Sequence, residues 1–267
     1  MPAAGVSQRG EFKLVSDVYQ FTAKPDYRLL QLTDCHLLAD PEGEYQQIKP
    51  YQQLATLVRA LNPQHFDALL LTGDLTQDHS LASYQLLADL FKTWSSPVFY
   101  VPGNHDEPAL MAKAFAKPPF VAATELQASG WTWLLLNTKG PTPAGEFGLA
   151  KQRQLAAALQ NSGSSVWLFC HHHPLPIGAA IDRHALQQPD SLMALLTAQP
   201  QVKGLAHGHC HYAYQMQHTS GLRIVGCPAT SVQFTLSPEW ITEDLGPQGC
   251  IWNFAADGRV TWEFIRF

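Results

Sequence analysis

A chain of 267 residues, 46% hydrophobic and 15% charged, is long enough to bury a substantial core and fits one large α/β domain over residues 1–267. Its formal net charge of −5 gives no electrostatic reason to expect duplex DNA or an anionic membrane, so neither a nucleic acid nor a membrane is an expected partner, and an anionic substrate must be captured by local charge. The opening MPAAGVSQRGEFKLVSD has no apolar leader core and no later segment reaches the length of a bilayer span, while five cysteines, an odd number, are better read as reduced thiols than as a disulfide framework; together these point to a soluble, cytoplasmic protein.

In chain order, short apolar runs that end in a polar, Gly-containing or His-rich string alternate with longer amphipathic stretches, the pattern of strands joined through helices. Strands are predicted over 28–33, 67–72 and 97–101, with helices over 51–61, 81–93 and 109–116. After a Gly/Pro-rich link at 140–148 come a helix over 151–159, a strand over 165–170, a helix over 191–198 and a strand over 202–206. The tail turns mainly β, near 212–217, 222–225, 249–254 and 260–267. No repeat, low-complexity tract or long charge run interrupts the pattern.

Five strings follow the ends of these strands: Asp34-Cys35-His36, Gly73-Asp74, Gly103-Asn104-His105-Asp106, His171-His172-His173-Pro174 and Gly208-His209-Cys210-His211. The carboxyl ends of strands are where an α/β sheet presents its ligands. Each string alone is weak: D-x-H, G-D and a loop asparagine all occur as strand ends, caps and turns. Together they supply seven metal-ligand candidates, more than the three or four that one zinc site needs and about the number that two metals sharing a carboxylate need. Imidazole, carboxylate and amide donors without a thiolate favour iron, manganese, cobalt or zinc over Cu(I), and the set is too nitrogen-rich for a dedicated magnesium or calcium site. In an extended strand end alternate residues share a face, so Asp34/His36 and His209/His211 should converge while Cys35 and Cys210 point away into the core.

The order of these pieces resembles the calcineurin-like metallophosphoesterase superfamily, with its D-x-H, G-D, G-N-H-[DE], histidine before H-P, and G-H-x-H strings. The longer strings LTDCHL, LTGDLTQDHS, VPGNHDEPAL, HHHPLPIG and GCPATSVQF are similar to those of bacterial class III 3',5'-cyclic nucleotide phosphodiesterases of the CpdA type. The resemblance implies a layered α/β/β/α sandwich with a β-rich C-terminal end. It also implies two divalent ions, the first on Asp34, His36, Asp74 and His211 and the second on Asp74, Asn104, His172 and His209, with Asp74 bridging. His172 is chosen as the histidine two positions before Pro174, which leaves His173 behind the ligands and His171 as an extension of the strand. His207, just outside G-H-x-H, is expected to be an oriented neighbour.

The implied reaction is hydrolysis of cyclic AMP to 5'-AMP by a hydroxide bridging the two metals, with His36, Asp74, Asn104, His105 and His211 around the substrate. His105 would give a proton to the leaving oxygen or steady the phosphate. One departure is visible: where many relatives read G-D-x-x-D, with the second aspartate backing the catalytic histidine, this chain has Gln77 there and Asp78 one residue later, leaving Asp78 or Asp106 to orient the site. Rival readings are a phosphoesterase with another substrate, although G-D-x-x-D-R-G is missing, and a scaffold without catalysis, although no ligand is missing. Tyr212, Tyr214, Trp94 and Phe234 are candidates to stack on a base, each equally readable as packing.

Overall fold

The computed structural model describes residues 18–62 and 64–267, so the reading of residues 1–17 lies outside the described residues. In chain order the elements are β1 (Val18–Gln20), β2 (Asp26–Leu32), α1 (Pro50–Leu61), β3 (Ala68–Thr72), α2 (Leu81–Phe91), β4 (Val98–Val101), α3 (Pro108–Ala114), β5 (Glu125–Ala128), β6 (Trp131–Leu135), α4 (Leu149–Asn161) and β7 (Ser165–Phe169). A short 3-10 helix (Ala180–His184) then leads to α5 (Pro189–Thr197), β8 (Val202–His207), β9 (Tyr214–Gln217), β10 (Arg223–Gly226), β11 (Gln233–Phe234), β12 (Thr242–Glu243), β13 (Gln248–Ala255) and β14 (Val260–Arg266).

Besides a separate two-stranded pair of β11 and β12, two large sheets form, one in the order β14-β13-β2-β3-β4 and one in the order β1-β5-β6-β7-β8-β10-β9. Their central strands are fully buried apolar runs such as Ala68–Thr72, as expected of parallel strands covered on both faces. Alternation along these runs feeds two layers at once. On β2 and β3, Leu30, Leu32, Leu69 and Leu71 meet α1 and α2 through Leu54, Leu57, Tyr84 and Phe91, while Leu29 and Leu70 turn to the other sheet. There they join Phe99 and Trp252 against Trp133, Trp167 and Phe169. On the far face Leu134, Val166, Leu168 and Leu205 pack on α4 and α5 through Leu155, Leu159, Leu192 and Leu196. The result is the expected four-layer α/β/β/α sandwich.

Beyond the short elements β1, the 3-10 helix, β11 and β12, which the sequence reading did not include, two larger parts differ from the expected elements. The β5–β6 hairpin, missing from the sequence reading, has a first strand, Glu-Leu-Gln-Ala, that is short and half polar and owes its strand form to pairing with β6 rather than to its own propensity. The β-rich tail is not one unit: β9 and β10 extend the seven-stranded sheet, while β13 returns to pair antiparallel with β2 in the other. Parallel strands β2, β3 and β4 of one sheet and β7 and β8 of the other end at a common rim.

Candidate metal centre

Each motif string begins within three residues of a strand end at that rim: Asp34 after β2, Asp74 after β3, Asn104 after β4, His171 after β7 and His209 after β8. The convergence does not come from strand alternation. Asp34, His36, Asp74, His209 and His211 all have left-handed backbone, with φ of 54, 47, 50, 65 and 50°. Such a conformation costs a non-glycine residue on the order of 1–3 kcal/mol and persists only where the surroundings impose it. Here it folds the chain back so that Asp34 and His36, and likewise His209 and His211, face inward, and Cys35 and Cys210 are left buried behind them, with burial pushing the Cys35 thiol up to about 12. Gly103 is required by proximity rather than by its φ: a Cβ there would overlap the Asp74 carboxylate and backbone.

Hydrogen bonds decide which nitrogen of each imidazole faces the centre. His36 Nδ1–H donates to Gln77 Oε1 (2.8 Å), His171 Nδ1–H to the Thr72 carbonyl (2.9 Å), His209 Nε2–H to the His184 carbonyl (3.0 Å) and His211 Nδ1–H to the Val232 carbonyl (2.7 Å). These acceptors take the proton of that nitrogen, so in the neutral imidazole the other nitrogen of each ring is the lone pair that points inward. His36 Nε2 and His211 Nε2 lie 3.1 Å apart, and His171 Nε2 and His209 Nδ1 lie 3.2 Å apart. His211 Nε2 is 3.2 Å from Asp34 Oδ1, and His171 Nε2 is 3.4 Å from Asp74 Oδ2 and 3.2 Å from Asn104 Oδ1. Buried lone pairs facing one another and two carboxylates are unfavourable without positive charge between them, a metal ion or a proton held on one of the rings. The donors fall into two groups joined by Asp74, which fits two divalent ions.

The histidine that meets Asp74 and Asn104 is His171, where His172 was expected. Both nitrogens of His172 are already engaged: Nε2–H donates to the Pro143 carbonyl (3.2 Å), and Nδ1 accepts from the Thr138 hydroxyl (2.9 Å). Its ring lies 4.6 Å from that of His209 and within reach of an ion shared with His171 and His209, but with both nitrogens engaged it offers that ion no free lone pair. His173 Nε2 pairs with Asp182 (3.0 Å), and its ring lies roughly parallel to that of His209. His207, as expected, is a neighbour outside the donor groups, 2.5 Å from the Tyr214 hydroxyl.

Electrostatics follow from burial and these contacts. Burial opposes charge on Asp74, yet the His171, His36 and His105 imidazoles hold its carboxyl well below the usual range. Burial also pulls His171 down, but Asp74 and Asp34 outweigh it and raise the imidazole to about 9. His36, with burial dominant, falls to about 3. His105 donates its backbone N–H to Asp74 Oδ1 (2.8 Å) and lays its ring edge-on to His36 and parallel to His79. Neither candidate acid orients that ring. Asp106 accepts from the Leu75 and Gly103 amides and the Tyr84 hydroxyl, which ties the Asn104 turn to the β3 end, and Asp78 accepts from Ala39, Ser80 and Ser83. Gln77, at the departure from the family pattern, backs His36 instead.

Above the donors opens a cavity of about 380 Å³ lined by His36, Asp74, Asn104, His105 and His211, the five expected substrate-contacting residues, and by Tyr45, His184, Phe234 and Trp240 among others. Tyr45 stacks on His36 at 4.5 Å and Phe234 on His211 at 4.1 Å. Of the base-stacking candidates only Phe234 lines this cavity; Trp94 is buried beside Phe66 and Phe91, and Tyr214 bonds His207. The GCPATSVQF string buttresses the site from behind, with the Ser231 hydroxyl donating to the Asp34 carbonyl (2.7 Å) and Val232 receiving His211. Sequence reasoning passed over the main-chain acceptors Thr72, His184 and Val232, which carry no side-chain signal, and over Tyr45, Trp240 and His184, which sit in no motif.

A family model described as calcineurin-like phosphoesterase matches residues 27–213. The chain is 39% identical to a probable cyclic nucleotide phosphodiesterase of Pseudoalteromonas sp. (strain SM9913), over 86% of this chain and 88% of that one. It is 34% identical to the 3',5'-cyclic adenosine monophosphate phosphodiesterase CpdA of Vibrio vulnificus (strain CMCP6), over 90% and 89%. Among solved structures, a dimetal phosphatase from Danio rerio superposes with a TM-score of 0.63 at 15% identity, over 91% of this chain and all of that one, a likeness of fold. The strand-end donor groups, the four-layer sandwich and these matches make the chain a member of the calcineurin-like phosphoesterase family.

Proposed function

We propose that the protein hydrolyses 3',5'-cyclic AMP to 5'-AMP, using two divalent cations held at the rim of its two sheets. The observation that carries the dinuclear reading is the set of four imidazole lone pairs turned by fixed hydrogen bonds onto two buried carboxylates and the Asn104 amide. Asp34, His36, Asp74 and His211 would hold one ion; Asp74, Asn104, His171 and His209 the other. When bound, such ions would supply Lewis acidity toward the phosphoryl oxygens and lower the pKa of a water to about 7.

The chain's own residues do the rest. Gln77 and the Thr72, His184 and Val232 carbonyls keep the four imidazoles in the tautomer that binds a cation. Lys139 Nζ donates to the Asn104 carbonyl (2.9 Å) and steadies the turn that presents Asn104 and His105. His105, at the cavity wall beside Asp74, gives a proton to the departing O3'. The choice of a cyclic nucleotide is supported by the names of relatives that match nearly the whole chain. Five buried, unpaired cysteines support a reducing compartment, the cytoplasm. Among the described residues no helix is long and apolar enough to cross a membrane.

A turnover panel tests the reading: cyclic AMP, cyclic GMP, a 2',3'-cyclic nucleotide, bis(p-nitrophenyl) phosphate and a phosphopeptide, with manganese-loaded enzyme. Preference for the 3',5'-cyclic nucleotides is expected. A preference for the phosphopeptide would reject it.

A further inference from the structure

The cavity has an unused wall. From the donor group outward, Phe234 lies flat on His211 (centroids 4.1 Å, 2° between planes), and Trp240 stands edge-on to Phe234 (5.5 Å, 81°). Trp240 is 48% exposed although it lines the cavity, and His184 lies at a shallow angle to it (6.0 Å, 27°). A large aromatic left open at the mouth of a concave, polar-floored cavity is the usual form of a ligand platform.

The platform is held in place. Trp240 sits in the turn of the β11–β12 hairpin, and that turn is tied to the 3-10 helix: the Ala180 N–H donates to the Ser237 carbonyl (2.7 Å) and Arg183 to the Pro238 carbonyl (3.2 Å). Asp182, in the middle of the same helix, accepts from the Ile177, Gly178 and Ala179 amides and from His173. The hairpin is therefore a preorganised surface, and little ordering entropy opposes binding on it.

We propose that Trp240 is the base-binding residue of this enzyme: with the phosphate over the donor groups and the ribose along Phe234, a purine base stacks on the Trp240 indole. This rests on the cyclic nucleotide reading above. Stacking on an indole recognises the π-face common to all bases, so it favours substrates that carry a base over those that do not and discriminates little between adenine and guanine.

The test compares wild type, Trp240→Ala and Trp240→Phe on cyclic AMP and on methyl riboside 3',5'-cyclic phosphate, which has the same ring and leaving group but no base. The expected result is a fall of about 5–150-fold in the preference of Trp240→Ala for cyclic AMP over the base-free ring, carried by KM rather than kcat, with Trp240→Phe recovering most of it. An unchanged preference, or a loss carried by kcat and equal on both substrates, would overturn the assignment while leaving the phosphodiesterase reading intact. So would a change of oligomeric state in Trp240→Ala by light scattering, which would make the hairpin a contact between copies. A wild-type enzyme that opens neither ring would remove the reading itself, and the inference with it.

Discussion

Replacing His171 and His172 in turn separates two adjacent histidines by what their nitrogens do. His172→Ala deletes two hydrogen bonds, to Thr138 and Pro143, each worth about 0.5–1.5 kcal/mol, and a ring packed beside His209. The donors themselves are untouched, so both metals should stay and activity should fall by about 10–100-fold, the usual cost of losing an outer support. His171→Ala removes the lone pair that lies 3.4 Å from Asp74 Oδ2 and 3.2 Å from Asn104 Oδ1. One ion should then be lost or bound weakly, and turnover should drop beyond that range. The assay is metal content by mass spectrometry after manganese loading and desalting, with bis(p-nitrophenyl) phosphate turnover and a melting curve for each variant. Two ions retained in His171→Ala, with one lost from His172→Ala, would refute the tautomer argument.

His105→Ala should keep both metals and lose about 10²–10⁴-fold on cyclic AMP, whose leaving alkoxide needs a proton, and much less on bis(p-nitrophenyl) phosphate, whose phenolate does not; equal losses would make His105 a phosphate clamp. Gln77→Ala frees the His36 ring from its acceptor and should weaken metal binding by about 10–100-fold in a competition titration with a chelating dye, with unchanged affinity as the contrary result. At Asp182, burial opposes the charge but the Ile177 and Gly178 amides and His173 hold the carboxyl below its usual range. A depressed pKa contributes stability above the unfolded value of roughly 4 and loses it as pH falls through the folded one, so Asp182→Asn should lower the Tm at pH 7 and the gap should close below about pH 4. A gap that widens in acid would reverse the sign of the argument.

The layers and most helices were legible because the strands are fully buried apolar runs and the helices keep their 3.6-residue period, as over Pro50–Leu61. The five strings were legible as a set because their residue types rarely occur together outside a metal site. The local geometry was not. Alternation along an extended strand was the wrong reason for Asp34 and His36 to converge, since the left-handed backbone that turns them inward is imposed by the packed rim and leaves no periodicity. Counting back from Pro174 could not tell His171 from His172, because the acceptors that decide it, Thr72 and Pro143, are main-chain carbonyls distant in sequence. Trp240 was missed for a similar reason: only the β11–β12 turn brings it to the cavity.

The central claim, two-metal hydrolysis of a cyclic phosphodiester at phosphorus, is most directly tested by incubating metal-loaded enzyme with cyclic AMP in ¹⁸O-water and analysing the product by chromatography and mass spectrometry. The expected product is 5'-AMP with one ¹⁸O in its phosphate, formed only when the ions are present. Formation of 3'-AMP, label in the ribose, or undiminished turnover after exhaustive chelation would contradict it.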